Sequence, residues 1–183
     1  MVTALLVAAS MSYGQALAQA FEKISNDRLL APAPIEQQIE VVDGDTIWIG
    51  IHQIRLHGVD ALEPKQECIR AGSPKSYCHL SASELLRTYT SRSDFRCEIH
   101  TKDGEGKPWT LYGRYVASCY AGETDVNLEL VRRGWAYADR RYGESFITAQ
   151  ESAIEEGLGI HATEHLTPWE WRARQRSDNC SCD

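Results

Sequence analysis

The sequence predicts an α+β fold built on a small, partly open β-barrel of five short strands, with about three helices attached. Three observations indicate this class. Apolar residues alternate at period two from Ile39 to Leu56, and a hairpin is expected around a turn-rich run centred on Pro108. Helical spacing is found in three segments downstream of the first strands. The length of 183 residues suits one such domain.

The composition is typical of a folded globular chain. Hydrophobic residues make up 43% of the sequence and charged residues 25%, which is enough apolar surface for a core. The formal net charge of −7 argues against broad electrostatic adhesion to nucleic acid. A local basic pocket needs only a few cations, so the composition leaves the partner open.

Residues 1–20 carry no charged side chain and have the features of a secretory signal peptide. An apolar core runs from Ala4 to Met11, and we expect cleavage after Ala20 and export to the periplasm or the medium. The apolar run is shorter than the roughly 20 residues of a membrane span. The alternative is an N-terminal helix of the fold. Residues 21–37, with two prolines, are predicted to be a linker.

The stretch from Ile39 to Pro64 is predicted to form three strands and to contain the residues of an active site. An Asp-Gly turn separates the first two strands, and a guanidinium lies at the centre of the third. Strand ends in a compact sheet can converge, so four polar side chains could share one pocket. These are Asp45, Arg55, Asp60 and Glu63. Taken singly, each has an ordinary alternative as part of a turn or as a surface charge.

Three helices follow the first strands. A Ser-x-x-Glu capping box predicts a helix that begins at Ser81. Asp125 can cap a second helix, which stops at Gly134. Apolar residues at helical spacing from Phe146 predict a third helix, ended by Gly157.

Six cysteines fit an oxidising compartment, where disulfides persist. Cys97 and Cys119 are equally far from Pro108 and would face each other across the predicted hairpin. Cys68 and Cys78 bracket a loop rich in Gly, Ser and Pro, and closing it would stabilise the fold by about 3 kcal/mol. Free buried thiols and a zinc site are the alternatives, although no C-x-x-C spacing supports zinc.

The domain is predicted to span residues 38–165 and to be followed by a tail, residues 166–183. The tail contains two tryptophans and three arginines and is expected to fold back on the body. Cys180 and Cys182 lie in it, too close in sequence to pair comfortably with each other. The sequence shows no internal repeat and no second domain.

Four motifs in this order resemble the staphylococcal-nuclease-like (thermonuclease) family. They are Asp-Gly-Asp-Thr at 43–46, Ile-Arg-Leu-x-Gly-Val-Asp-x-x-Glu at 54–63, Tyr-Gly-Arg at 112–114 and Leu-Val-Arg-x-Gly at 130–134. One motif alone would be a weak signal, but four at compatible spacing are a strong one. The likeness covers about residues 38 to 160. It implies an OB-fold, a five-stranded β-barrel with three helices.

The resemblance also implies a role for each matching residue. The implied Ca²⁺ ligands are Asp45, Asp60 and the backbone carbonyl of Ala61. The implied catalytic residues are Glu63, which would activate or orient the attacking water, and Arg55 and Arg114, which would clamp the scissile phosphate. Tyr112 and Tyr142 match positions that line the nucleotide pocket, with core packing as an equal alternative.

Hydrolysis of a phosphodiester needs these residue types. Attack on phosphorus builds negative charge on the phosphate oxygens, so catalysis depends on positioned cations. Two planar guanidiniums can grip phosphate oxygens in a fork that lysine cannot copy. Carboxylate and carbonyl oxygens are the ligands that Ca²⁺ prefers. Glu63, kept ionised by the neighbouring cations, could accept a proton near neutral pH.

Three positions depart from the family's usual pattern. Leu62 replaces a proline before the implied catalytic glutamate, Leu111 replaces a basic residue before the Tyr-Gly-Arg motif, and Thr110 stands where aspartate is common. None of these changes removes a group that does chemistry. We expect these changes to affect the rate of the reaction and the affinity for substrate more than the type of reaction.

The sequence therefore predicts a secreted or periplasmic, calcium-dependent endonuclease, a phosphodiester hydrolase of DNA and/or RNA. We expect it to prefer single strands and to be a monomer without a membrane span. The first alternative is a catalytically weak OB-type module that binds nucleic acid or oligosaccharide. The second is a zinc hydrolase, because His161, Glu164 and His165 match the pattern H-x-x-E-H. Flanking glycines and Pro168 argue against the long helix which that pattern needs, so we interpret the match as coincidence.

Overall fold

The structure, a computed structural model, describes residues 38–102, 106–139, 141 and 143–179. The described part of the chain is a mixture of strands and helices, which confirms the predicted α+β class. Several predictions fall on positions outside the described residues. These are the signal peptide 1–20, the linker 21–37, Tyr142, Cys180 and Cys182.

Three short strands open the main sheet, as the alternation of apolar residues predicts. They are β1 (Ile39–Val41), β2 (Thr46–Ile49) and β3 (His52–Leu56), which pair antiparallel in this order. Ile47, Ile54 and Leu56 are fully buried on the inner face. A fourth strand, β4 (Val59–Ala61), leaves this sheet and pairs with β10 (Ala136–Ala138).

The other half of the main sheet is built on the long strand β8 (Arg114–Ala121). It runs parallel to β3 and antiparallel to β6 (Phe95–Ile99), and short strands β7 (Thr110–Leu111) and β9 (Thr124–Asp125) also pair with it. The main path has the order β1-β2-β3-β8-β6 and so contains five strands. Among the described residues no pairing returns from β6 to β1, so this path is an open sheet.

The described residues form four α-helices, one more than predicted. They are α1 (His79–Thr90), α2 (Val126–Arg132), α3 (Glu144–Glu155) and α4 (Pro168–Asn179). A 3-10 helix, Gly159–Ala162, precedes strand β11 (Thr163–Glu164), which pairs with β5 (Ile69–Arg70). In the part of the chain that the structure describes, no helix has both the length and the apolar character needed to cross a membrane.

The predicted helix start is right for α2 and wrong for α1. The Asp125 carboxylate accepts a hydrogen bond from a backbone N–H in the first turn of α2 (3.0 Å), as a capping residue does. Helix α1 begins at His79, two residues before the predicted capping box at Ser81, and no side chain caps it. The residue before the helix, Cys78, is instead held by a disulfide to Cys68.

Both predicted disulfides are present. Cys97 and Cys119 are directly opposed partners in β6 and β8, and both are buried. The second bridge, Cys68–Cys78, closes the loop that leads into α1. One bridge therefore joins two strands of the main sheet, and the other ties the segment after β4 to a helix start.

The buried side chain of Asn127, at the start of α2, fastens that helix to the sheet. Its carbonyl oxygen accepts from the Cys119 N–H (3.0 Å), and its amide donates to the carbonyls of Ala117 (3.0 Å) and His57 (2.9 Å). Leaving a buried group of this kind unpaired costs about 1–3 kcal/mol. These bonds fix the turn between β3 and β4, which places Asp60.

Gly44 lies in the turn between β1 and β2, where the backbone closely approaches two neighbours. A methyl group there would lie 2.6 Å from Cβ of Ala61 and 2.7 Å from Cβ of Ala82, and both neighbours are buried. We expect Gly44→Ala to lower the free energy of unfolding in urea by about 1–3 kcal/mol, as overpacking does. Ala82→Gly removes one of these methyl groups, so Gly44→Ala should cost less in that background. An equal cost in both backgrounds would contradict the clash.

Candidate active site

A cleft of about 400 Å³ opens beside the ends of β3 and β4 and the turn before β8. Its lining combines five arginines with four carboxylates. The arginines are Arg55, Arg114, Arg141, Arg172 and Arg176. The carboxylates are Asp43, Asp60, Glu63 and Asp139. The cleft therefore concentrates guanidinium groups in a chain whose net charge is −7.

Arg55, at the back of the cleft, joins two of the predicted metal ligands. One guanidinium nitrogen donates to Asp45 Oδ1, and the other donates to Asp60 Oδ1 (3.1 Å) and to the carbonyl of Val59 (3.1 Å). The side chain is only 19% exposed, because it extends from the middle of β3 under the cleft floor. One cation thus links the start of β2 to β4.

Asp45 is buried behind this bridge. Its Oδ2 accepts from the Ala61 N–H (2.9 Å), and its Oδ1 accepts from the Thr46 hydroxyl (2.9 Å) as well as from Arg55. Burial raises the pKa of the Asp45 carboxyl to about 7, against the opposing effect of the Arg55 guanidinium. The hydrogen bonds from Ala61, Thr46 and Arg55 hold both oxygens of this side chain in place.

Asp60 and Glu63 share a second arginine that the sequence prediction does not include. Arg172, on α4, donates from Nη2 to Asp60 Oδ2 (2.8 Å) and from Nη1 to Asp60 Oδ1 (3.0 Å). The same Nη1 donates to Glu63 Oε1 (2.8 Å). These hydrogen bonds raise the pKa of the Arg172 guanidinium further above its ordinary value. A residue of the predicted tail therefore belongs to the cleft.

One sequence signal could have placed Arg172 on a helix. Thr167 and Glu170 form a reciprocal capping box, in which the Thr167 N–H donates to the Glu170 carboxylate (2.8 Å). The Glu170 N–H in turn donates to the Thr167 hydroxyl (3.4 Å). This box starts α4 immediately before Arg172. Arg172 and Asp60 are 112 residues apart in the sequence, and no sequence pattern indicates that they are in contact.

The start of α4 is also attached to the body of the protein. The buried Gln66 side chain donates to the Leu166 carbonyl and accepts from the Glu63 N–H (3.1 Å), so it ties the segment before α4 to the loop that carries Glu63. The Trp169 ring meets the Tyr137 ring edge-on, with the centroids 5.2 Å apart. The expectation that the tail folds back on the body is confirmed for its described part.

Two more of the predicted residues, Arg114 and Tyr112, line the cleft. Arg114, at the start of β8, donates to the Thr46 hydroxyl at 3.5 Å, which is long for a hydrogen bond, so its guanidinium is weakly held. Tyr112 is 90% exposed on the rim, in the turn between β7 and β8. The core-packing alternative for Tyr112 is therefore wrong. Leu111 beside it also lines the cleft.

The donors present suit a hard cation. Asp45 and Asp60 face the same Arg55 guanidinium, so carboxylate oxygens from two strands already converge on one positive charge. Among the described residues there is no group of three His, Cys, Asp or Glu side chains that could hold a metal ion. An ion here would be held by two carboxylates, a backbone carbonyl such as that of Ala61, and water, which are ligands that fit calcium.

The histidines of the H-x-x-E-H pattern do not lie on one long helix. His161 belongs to the 3-10 helix, and His165 follows β11. His165 Nε2 lies 2.8 Å from the Tyr137 hydroxyl, and the His161 ring meets the Tyr137 ring edge-on at 5.3 Å. Burial lowers the pKa of both imidazoles. Both rings thus pack around one tyrosine.

Comparison with known proteins gives three matches. The sequence profile described as "Staphylococcal nuclease homologue" matches residues 53–163. "Succinoglycan biosynthesis protein ExoI" of Rhizobium meliloti (strain 1021) is 34% identical over 134 residues, which are 71% of this chain and 66% of that protein. An "Uncharacterized endonuclease" of Haemophilus influenzae (strain ATCC 51907 / DSM 11121 / KW20 / Rd) is 35% identical over 153 residues, which are 79% of this chain and 76% of that protein.

A pair of stacked histidines beneath the cleft makes stability depend on pH. The rings of His57 and His100 stack with centroids 4.0 Å apart. Burial, with a smaller contribution from His100, lowers the pKa of His57 to about 4, although Asp139 opposes the shift. An unfolded histidine titrates near pH 6.5. The folded state therefore binds fewer protons than the unfolded state between these values, and stability falls as the pH falls through this window.

We expect His57→Phe to reduce this pH dependence, because it removes the group that must stay neutral in the fold. The measurement is the urea midpoint at pH 7 and at pH 5 for wild type and variant. The matched control is His52→Phe, at an exposed position of β3, which should keep the wild-type difference between the two pH values. A His57→Phe protein with the full wild-type difference would contradict the assignment.

Proposed function

The chain belongs to the family of staphylococcal nuclease homologues, and on this premise we propose that it is a calcium-dependent endonuclease that hydrolyses DNA and/or RNA. One observation carries the proposal. Carboxylates and arginines from separate motifs of the sequence meet at a single cleft. The five-strand main path, with β3 parallel to β8, supports an OB-type arrangement of the barrel strands.

In this proposal Asp45, Asp60 and the Ala61 carbonyl hold the calcium ion. When bound, calcium supplies positive charge that offsets the charge developing on the phosphate, and it orients water. Glu63, on the cleft wall and 32% exposed, accepts the proton of the attacking water. Its carboxylate is held next to Asp60, so both groups face the same space.

The phosphate is gripped by Arg114 and Arg55. Arg114 is the better placed of the two in this structure, because its weak bond to Thr46 leaves its guanidinium able to turn toward a phosphate. Arg55 is committed to Asp45 and Asp60 and contributes positive charge from behind the cleft. Fork-shaped donors of this kind match the oxygens of a phosphodiester.

We propose that the substrate is a single-stranded nucleic acid and that the protein is a monomer. Tyr112 is almost fully exposed at the cleft rim, where its ring can stack on an unpaired base. A base inside a duplex offers no free face for such stacking. Tyr142 is proposed as a second pocket residue from its motif position alone.

A second candidate function comes from the Rhizobium relative, whose name places it in succinoglycan biosynthesis. The chain could be a catalytically weak OB-type module that binds nucleic acid or an oligosaccharide. Such a module would use the same cleft without turnover. Metal-dependent hydrolysis separates the two candidates.

We also propose that the protein is exported, either to the periplasm or to the medium. Two disulfides in the described residues support an oxidising compartment, and residues 1–20 support a signal peptide.

The nuclease proposal is tested with single-stranded DNA and RNA, in calcium, in a calcium chelator and in zinc. We expect cleavage in calcium alone, and Glu63→Gln should lower kcat by about 100-fold or more, as loss of a general base does. Glu67→Gln is the matched control, because Glu67 is exposed and pairs with Lys75 instead. Binding without cleavage in every condition would favour the binding module, and cleavage in zinc alone would favour the hydrolase based on His161 and His165.

The export proposal is tested by the mass of the mature protein from its native host. We expect a chain that begins at Phe21, since cleavage follows Ala20, and four cysteines that resist thiol labelling without reduction. These are Cys68, Cys78, Cys97 and Cys119. An intact N-terminus with reactive thiols would contradict export.

A further inference from the structure

Resting on the proposed function, we infer that the Arg172 guanidinium, which binds Asp60 and Glu63, is an internal cation that competes with the divalent metal for Asp60. Arg172 comes from α4, outside the four motifs of the family resemblance. It makes three hydrogen bonds of 2.8–3.0 Å to these two carboxylates. Arg172 is therefore part of the candidate active site.

The hydrogen bonds already made to Asp60 set a metal ion in competition with Arg172. A carboxylate offers about two acceptor positions on each oxygen. On Asp60, Oδ1 already accepts from Arg55 and from Arg172, and Oδ2 accepts from Arg172. One position is left, on Oδ2, and a metal ion bound there would share that oxygen with the Arg172 guanidinium and be repelled by its charge.

Charge balance leads to the same conclusion. The five arginines that line the cleft outnumber its four lining carboxylates. A divalent ion bound to Asp60 would add to this positive charge and repel a guanidinium bound to the same carboxylate. Of the two arginines bound to Asp60, Arg172 is the better able to move away, since its side chain is 38% exposed whereas that of Arg55 is 19% exposed.

Withdrawal of Arg172 does not require α4 to leave. The start of the helix is held by the capping box of Thr167 and Glu170 and by the Trp169 contact to Tyr137, and none of these involves the Arg172 guanidinium. A long arginine side chain can swing from the carboxylates into the cleft. Arg176, four residues further along α4, also lines the cleft, so this part of the helix faces it.

The test is calcium affinity, measured by titration calorimetry on the whole protein without substrate. In Arg172→Gln, calcium no longer has to displace a charged hydrogen-bond donor from Asp60. We therefore expect this variant to bind calcium about tenfold more tightly than wild type. Arg174→Gln, exposed on the same helix and outside the cleft lining, is the matched control and should bind as wild type does. Asp60→Asn should bind weakly or not at all.

A gain of affinity distinguishes competition from a structural role, because a merely structural change would weaken binding or leave it unaltered. Should Arg172→Gln fail to fold by circular dichroism, Arg172→Lys serves instead, since lysine loses the fork and should also bind calcium more tightly. Equal or weaker binding in the folded Arg172 variant, with Asp60→Asn impaired, overturns the inference and leaves the metal site standing. No calcium binding by wild type or by any variant overturns the metal site itself.

Discussion

The bridge that Arg55 makes between Asp45 and Asp60 is the constraint on which the site depends. Two carboxylates from different strands repel each other, and removing them from water is costly without a cation. The single positive charge of the guanidinium attracts both carboxylates, and the Ala61 N–H donates to the remaining Asp45 oxygen, so the turn before β2, β3 and β4 meet at one point. Removing one partner from such a buried pair costs about 3–5 kcal/mol. The same contact therefore serves the stability of the fold and the geometry of the cleft.

Much of the surrounding fold positions this bridge. Gly44 allows the turn before β2 to approach α1, which brings Asp45 under the cleft. Asn127 holds the turn between β3 and β4, which brings Asp60 to the same place. Leu62, one of the departures from the family pattern, is buried, so its side chain fills the core next to Glu63. Apolar packing and hydrogen bonds to the backbone thus position the charged groups at the cleft.

The lining of the cleft shows how a chain with a net charge of −7 can still concentrate positive groups at one place. Net charge describes the whole surface, whereas attraction at a site depends on the groups that line it. The cleft brings together five guanidiniums, two of them from the C-terminal helix. The four lining carboxylates offset most of that charge, so the two arginines of α4 help to set the local field.

Local patterns and motif order were enough to predict the α+β class, the first three strands, the Asp125 cap, both disulfides and the family. It misplaced the start of α1, since a disulfide rather than a capping side chain begins that helix. The pairing of the charged groups became visible in the folded chain and not before. Arg55 takes two carboxylates, and Arg172 reaches Asp60 across 112 residues. Ion pairs depend on distance in space, and spacing along the chain does not encode that distance between remote segments.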